Sequence, residues 1–109
     1  MEYQEIKPIK SKTTVNKYLN SKIAEEIIVG LIGATKGVKD IIWLQNKCLQ
    51  LTSHSDYWVA KTAINCLSDI VRKAEIYDKN KILKTLSQID NSELFGDIEN
   101  FKEDLSIFE

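Results

Sequence analysis

The side chains of this sequence that could act as nucleophiles, bases or metal ligands are few and far apart. His54 is the only histidine, and the two cysteines, Cys48 and Cys66, lie among apolar residues at helical spacing. A metal centre needs three or four well-spaced ligands of these types, and nucleophilic catalysis needs a serine or cysteine beside an activating base. Neither pattern is present, so we expect no catalytic residue, no cofactor and no metal site.

The other groups capable of acid–base chemistry are carboxylates near the C-terminal end. Residues 89–109 contain seven Asp or Glu against Lys102 alone, whereas residues 1–88 contain fourteen Lys or Arg against nine Asp or Glu. The acidic groups lie along one amphipathic segment with no second polar cluster to enclose an acid–base pair. We interpret them as surface charge, either for solubility or for a basic partner. Because the net charge of the whole chain is only −1, direct binding of nucleic acid is not expected.

The segments that hold these residues are all predicted to be helical. One proline and four glycines leave few breaks in 109 residues, whereas a β fold needs turn residues at intervals of about ten. Apolar periodicity and capping residues predict five helices, at 21–36, 38–53, 56–74, 79–88 and 92–107. Residues 1–20 are predicted to form a basic N-terminal arm with at most one short helix near 13–19.

Three glycines lie along one edge of the first predicted helix, for which Ser21 is the predicted N-cap. Gly30, Gly33 and Gly37 follow one another at spacings of three and four residues. A phosphate-binding loop would need a preceding strand and a following Gly-Lys-Ser/Thr, and both are missing. Close helix packing, with Gly37 ending the helix, is the favoured interpretation.

The later helices pair into successive hairpins. Short loops join 38–53 to 56–74 and 79–88 to 92–107, and the two pairs are offset by about 38 residues, as in two-helix repeats of the HEAT and armadillo type. The sequence therefore predicts a single all-α domain over 1–109. We expect stacked antiparallel hairpins at 38–74 and 79–108, forming a fragment of a right-handed α-solenoid, with the second hairpin as its terminal repeat.

The turn and second helix of the first hairpin look like a HEAT unit. Asp56 lies in the turn, and Val59, Ala63, Leu67 and Ile70 occupy the packing positions. HEAT units usually place Arg directly after the valine, whereas here Ala60 follows it and the positive charge is at Lys61.

Residues 40–108 resemble the short HEAT-like immunity proteins of bacterial contact-dependent growth inhibition and related polymorphic toxin systems. The resemblance rests on Trp43-Leu44-Gln45, Cys48-Leu49, His54-x-Asp56, the run from Ala63 to Ile70, and Asp104-Leu-Ser-Ile-Phe108. It implies a non-enzymatic cytoplasmic protein that binds a cognate toxin domain, most simply as a monomer in a 1:1 complex. A nuclease toxin would suit the acidic C-terminal segment, because it must carry a basic surface for phosphate.

Two tryptophans lie off the main apolar faces of their helices. We expect Trp43 to be covered by a neighbouring helix, whereas Trp58 is equally compatible with burial and with a role as an interface anchor. The predicted partner-binding face combines the second helices of both hairpins: Tyr57, Trp58, Asn65, Asp69, Arg72, Glu93, Asp97, Glu99, Glu103 and Asp104.

Two other functions remain open at this point. The first is a HEAT-like adaptor or scaffold with no toxin partner. The second is a small helical enzyme or a nucleic-acid binder that touches phosphates through the basic arm, with Lys7, Lys10, Lys12, Lys17 and Lys22. No membrane association is expected, because no stretch of the sequence approaches 18 apolar residues.

Overall fold

Six α-helices, and no strand, are formed by residues 5–74 and 76–108, which are the residues that the computed structural model describes. The helices are α1 (Lys12–Leu19), α2 (Ala24–Gly37), α3 (Ile41–Leu51), α4 (Tyr57–Lys73), α5 (Lys79–Ser87) and α6 (Phe95–Phe108). A 3-10 turn at Ser92–Leu94 leads into α6. The all-α prediction is confirmed, and α1 is the short helix expected near 13–19.

Aspartate side chains cap three of the helices. The carboxylate of Asp56 accepts hydrogen bonds from the backbone N–H groups of Trp58 and Val59, and Asp40 and Asp78 cap α3 and α5 in the same way. Each cap satisfies backbone N–H groups that have no partner within the first turn of a helix. The predicted cap at Asp56 is thereby confirmed.

The start of α2 differs from the prediction. The helix begins at Ala24, and Ser21 lies in the preceding turn, where its Oγ accepts a hydrogen bond from Ile23 N–H and donates one to Glu26 Oε1, both at 3.0 Å. Because Ser21 bonds to the turn itself, Ser21 is not the N-cap, and the prediction of a helix from residue 21 was wrong by three residues.

The helices are arranged in two rows. In the first row α4 lies between α2 and α6 and packs against both, while α1 packs on α2 and α3 packs on α4. The second row consists of α1, α3 and α5, which polar contacts join in that order: Lys12 Nζ of α1 lies 2.7 Å from Asp40 Oδ2, and Lys81 Nζ of α5 lies 2.9 Å from Asn46 Oδ1 of α3. The right-handed solenoid twist of this arrangement stays a prediction.

A continuous apolar core lies among these helices. Its largest fully buried side chains come from the helices α2 to α6 and from the 3-10 turn: Leu31, Leu44, Ile64, Leu67, Ile82, Leu86, Leu94 and Phe101. None of the described helices is long and apolar enough to cross a membrane.

Residues 5–20, predicted as part of a basic arm, are packed along α2. The backbone N–H of Ile9 donates to Gly33 O at 2.9 Å, and Val15 of α1 is completely buried. A Cβ atom added at Gly37 would lie 2.5 Å from Ile9 O, and one added at Gly30 would lie 2.5 Å from the Cβ of Tyr18. Gly30 therefore permits close packing of helix α1, as predicted. Gly37 instead permits close approach of the non-helical backbone at Ile9, and α2 ends at Gly37, as predicted.

Candidate protein-binding face

Two ion pairs join the neighbouring helices α4 and α6. Lys61 Nζ lies 2.9 Å from Asp97 Oδ1, and Arg72 Nη2 lies 2.7 Å from Asp104 Oδ2. The partners occur in the same order along both helices, so α4 and α6 run in parallel. Because α4 and α6 are packed against each other, they present adjoining surfaces.

Asp97 faces α4 and is nearly withdrawn from solvent, with only 10% of its side chain exposed. The hydrogen bond from Lys61 to this carboxylate raises the pKa of the Lys61 ammonium, and partial burial acts in the opposite direction. Lys61 Nζ also lies 5.9 Å from the centre of the Tyr57 ring. Asp97 was predicted to lie on the partner-binding face. In the structure its carboxylate instead pairs with Lys61 and forms part of the contact between α4 and α6. Lys61 thus supplies a polar link between α4 and α6.

A polar groove of about 390 Å³ runs between α4 and α6. It is lined by Asn65, Ser68, Asp69, Arg72, Asn100, Glu103 and Asp104. Three carboxylates and one guanidinium give the groove a net charge of −2. Five of the residues predicted for the partner-binding face therefore meet in one place.

Arg72 organises the acidic groups of this groove. Its Nη1 lies 3.2 Å from Asp69 Oδ1 and its Nη2 lies 2.7 Å from Asp104 Oδ2, so one guanidinium bridges carboxylates of both helices. Glu103 is exposed and forms no ion pair with any residue of 5–74 or 76–108. The charge of Glu103 is thus available to a partner.

The two tryptophans lie in different environments. Trp58, at the start of α4, is 58% exposed, and its ring meets the Tyr57 ring edge-on at 5.1 Å. Trp43 is half-buried, and the ammonium groups of Lys12 and Lys47 each lie 5.4 Å from its ring centre. Trp43 was expected to be covered by a neighbouring helix, and Lys12 of α1 covers it in part. Trp58 is exposed to solvent on the surface of α4.

Two further residues of the predicted face lie away from the groove. Glu99 lines a separate groove between α5 and α6, next to Phe95 and Lys102, and its Oε1 is 3.6 Å from Lys102 Nζ. Glu93 is exposed in the 3-10 turn that precedes α6. The acidic residues of α6 are therefore divided between different neighbours, and only Glu103 and Asp104 line the groove between α4 and α6.

His54, Cys48 and Cys66, the side chains considered as possible nucleophiles, bases or ligands, have structural positions. His54 lies in the turn before α4, where its Nδ1 accepts a hydrogen bond from the backbone N–H of Asp56 at 2.9 Å. Cys48 and Cys66 are buried free thiols, and the neighbouring Cys66 thiol, together with burial, raises the pKa of Cys48 well above its usual value. A raised pKa keeps a thiol protonated and unreactive. Among residues 5–74 and 76–108, no three His, Cys, Asp or Glu side chains are grouped so as to hold a metal ion.

Gln45 has a role that sequence reasoning missed. It is completely buried, and its Oε1 accepts a hydrogen bond from the backbone N–H of Asp78 at 2.6 Å. This bond ties the middle of α3 to the start of α5. A polar residue within the buried face of a helix, between Leu44 and Cys48, was the feature that could have indicated such a partner.

Comparison of the chain with protein-family models, with characterised proteins and with solved structures found no match.

Proposed function

We propose that this protein is an immunity protein and that it binds a basic toxin domain through the surface of α4 and α6. The observation that carries the proposal is the acidic groove between α4 and α6 together with an exposed tryptophan at the start of α4. Asp69, Glu103 and Asp104 supply negative charge, and Trp58 supplies a large amphipathic ring on the same helix as Asp69.

Charge and shape have separate roles in this proposal. Negative charge steers a basic partner toward the groove and raises the association rate, an effect that weakens as salt is added. An exposed tryptophan provides apolar contact area at small entropic cost and is a frequent interface anchor. The bridged carboxylates beside Arg72 are already held in place, which reduces the entropy lost on binding.

The identity of the partner rests on the resemblance of residues 40–108 to immunity proteins of toxin systems. A nuclease toxin must carry positive charge where it holds phosphate, and that surface would complement the groove. In this proposal the protein acts in the bacterial cytoplasm as a monomer, binds one toxin domain and covers its active site.

The test uses the toxin domain encoded next to the gene for this protein, produced together with it. We expect co-expression to restore growth and the two chains to purify as a complex. The variant Trp58→Ala/Glu103→Lys should weaken binding by more than tenfold in calorimetry. Asp97 and Asp104 are unsuitable for this purpose, because both are paired with α4 and their replacement would disturb the fold.

The matched control is Glu99→Lys, which makes the same charge change one helical turn away, at a residue that lines the groove between α5 and α6 instead. We expect its affinity to stay within about twofold of wild type, because exposed charges outside an interface contribute little. Equal reductions in affinity for Glu99→Lys and for Trp58→Ala/Glu103→Lys would contradict the groove as the binding site. A folded protein that neither binds the toxin domain nor restores growth would contradict the immunity function and favour an adaptor.

A further inference from the structure

Lysines and carboxylates are segregated between the two rows of helices. The helices α1, α3 and α5 contain six lysines and no Asp or Glu: Lys12, Lys17, Lys47, Lys79, Lys81 and Lys84. The capping residues Asp40 and Asp78 reduce this charge from +6 to +4. The helices α2, α4 and α6 contain seven Asp or Glu and five Lys or Arg, a balance of −2. The net charge of −1 for the whole chain therefore hides two surfaces of opposite sign.

Contacts between the helices bring together three of these lysines, one from each helix. Lys12 of α1 and Lys47 of α3 lie over the same Trp43 ring, each 5.4 Å from its centre. One residue before Lys47, Asn46 accepts the hydrogen bond from Lys81 of α5. Lys12, Lys47 and Lys81, from three helices that are far apart in sequence, thus form a row of neighbouring positive charges.

The capping aspartates neutralise this row only in part. The carboxylate of Asp40 lies 2.7 Å from Lys12 Nζ and also caps α3, and Asp78 accepts a hydrogen bond from the backbone N–H of Lys81. Lys17, Lys81 and Lys84 are exposed, and Lys47 is half-buried against the tryptophan ring. These last four lysines come from all three helices of the row.

From this arrangement we infer that the α1–α3–α5 surface binds the phosphate backbone of nucleic acid without reading its sequence. A docking site for a folded protein normally has an apolar centre. Here Trp43, the large ring at the centre of the row, lies beneath two ammonium groups. Phosphate binding needs no apolar centre, because its free energy comes from released counterions and grows with the number of lysine–phosphate contacts.

The covered tryptophan also argues for backbone contacts rather than base contacts. Proteins that bind unpaired bases stack them on open aromatic faces, and Trp43 has lysines over its ring. The lysines present point charges with rotatable donors, which suit phosphates but lack the planar fork that arginine uses to recognise guanine. A duplex of mixed sequence is therefore the appropriate probe.

The experiment measures fluorescence anisotropy of a labelled DNA duplex of about 20 base pairs over a range of salt concentrations. Wild-type protein should bind at low salt, and log Kobs should fall linearly with log salt concentration. The variant Lys47→Gln/Lys81→Gln/Lys84→Gln should bind at least tenfold more weakly. The slope of its salt dependence should be shallower by about one for each phosphate that the variant no longer neutralises.

The matched control is Lys22→Gln/Lys73→Gln/Lys102→Gln, which has the same net charge and leaves the row intact. At about 0.1 M salt we expect its affinity to remain within about threefold of wild type. At that ionic strength, charges more than roughly 10 Å from the bound phosphates are largely screened. If the first variant proves unfolded by circular dichroism, Lys17→Gln/Lys84→Gln changes two exposed residues and should still reduce binding and its salt dependence.

Three results would overturn the inference. The first is absence of duplex binding by wild-type protein at low salt. The second is an equal reduction of affinity in the matched control. The third is binding to vesicles containing phosphatidylserine with none to the duplex, which would assign the row to an anionic membrane surface. The toxin-binding proposal concerns the other row of helices, so either proposal can fail while the other stands.

Discussion

Lys61 and Asp97, 36 positions apart in the sequence, form a 2.9 Å ion pair that joins the neighbouring helices α4 and α6. The carboxylate is 10% exposed, the ammonium is 33% exposed, and the Tyr57 ring lies beside the ammonium. This pair fixes the relative position of α4 and α6, and with it the shape of the acidic groove further along the same helices.

Replacing Asp97 by Asn should lower the free energy of unfolding by about 2 kcal/mol, because it removes the charged acceptor of a partly buried hydrogen bond. The midpoint of thermal unfolding should fall by roughly 8 °C. Glu99→Gln, on the exposed side of α6, is the control and should cost less than about 0.5 kcal/mol. Equal destabilisation by the two variants would mean that the Lys61–Asp97 pair adds nothing to stability.

The same ion pair predicts a pH dependence at the alkaline end. Hydrogen bonding to Asp97 raises the pKa of Lys61 above its usual value, so the folded state holds this proton more tightly than the unfolded state. The stabilisation is fully present below the unfolded pKa and is lost as pH rises through the folded pKa. The difference in the free energy of unfolding between wild type and Lys61→Met, measured in urea, should be largest at neutral pH and should shrink as pH rises beyond the ordinary pKa of lysine. A difference that stays constant across this range would contradict the assignment.

The close approach at Gly37 predicts that Gly37→Ala destabilises the protein. The added Cβ would lie 2.5 Å from the backbone oxygen of Ile9, so a backbone segment must move, at a cost of about 1–3 kcal/mol. Gly96→Ala is the matched control, because no atom lies within 4 Å of its added Cβ. Alanine is the better helix former, so this control should stabilise α6 by up to about 1 kcal/mol. Chemical denaturation of both variants tests the contrast in sign.

The buried Gln45 predicts a specific effect of removing its amide. Gln45→Met keeps the length of the side chain but leaves the backbone N–H of Asp78 without its acceptor, which should cost about 1–2 kcal/mol. Gln50→Met on the exposed side of α3 should change stability by less than about 0.5 kcal/mol. Hydrogen exchange at the Asp78 amide should accelerate in the first variant alone, and unchanged protection there would rule out the proposed tie between α3 and α5.

The two cysteines predict slow thiol chemistry in the folded state. Cys48 is fully buried and Cys66 is 3% exposed, and the raised pKa of Cys48 disfavours its thiolate. Ellman's reagent should modify both thiols at once in denaturant, but in native buffer only at the rate at which the protein opens. Rapid modification of two thiols in native buffer would contradict the burial of this pair.

Helix positions and some of their caps could be predicted from the sequence, whereas most contacts between helices could not. Asp56 was recognisable as a cap from the apolar periodicity after it, and the glycine edge of α2 indicated close packing. The predicted N-cap at Ser21 was wrong, because a serine side chain can form hydrogen bonds within a turn as well as at the start of a helix.

The site depended on contacts that spacing alone does not determine. Glu99 and Glu103 occur one helical turn apart, yet they line different grooves because α5 and α6 meet at Glu99 while α4 and α6 meet at Glu103. The packing partner of each side of α6 is decided by residues elsewhere in the chain. For the same reason, the sequence did not indicate that lysines of three separate helices share a surface.

The opposite charges of the two helix rows give this 12.5 kDa protein a permanent dipole moment directed from one row to the other. In the field of a highly charged macromolecule, such a dipole experiences a torque before any contact is made. Cationic and anionic molecules would therefore approach the protein in opposite orientations. The orientation in which the protein meets a charged molecule is thus set by the arrangement of all its helices. Raising the ionic strength should abolish this preferred orientation while leaving every helix intact.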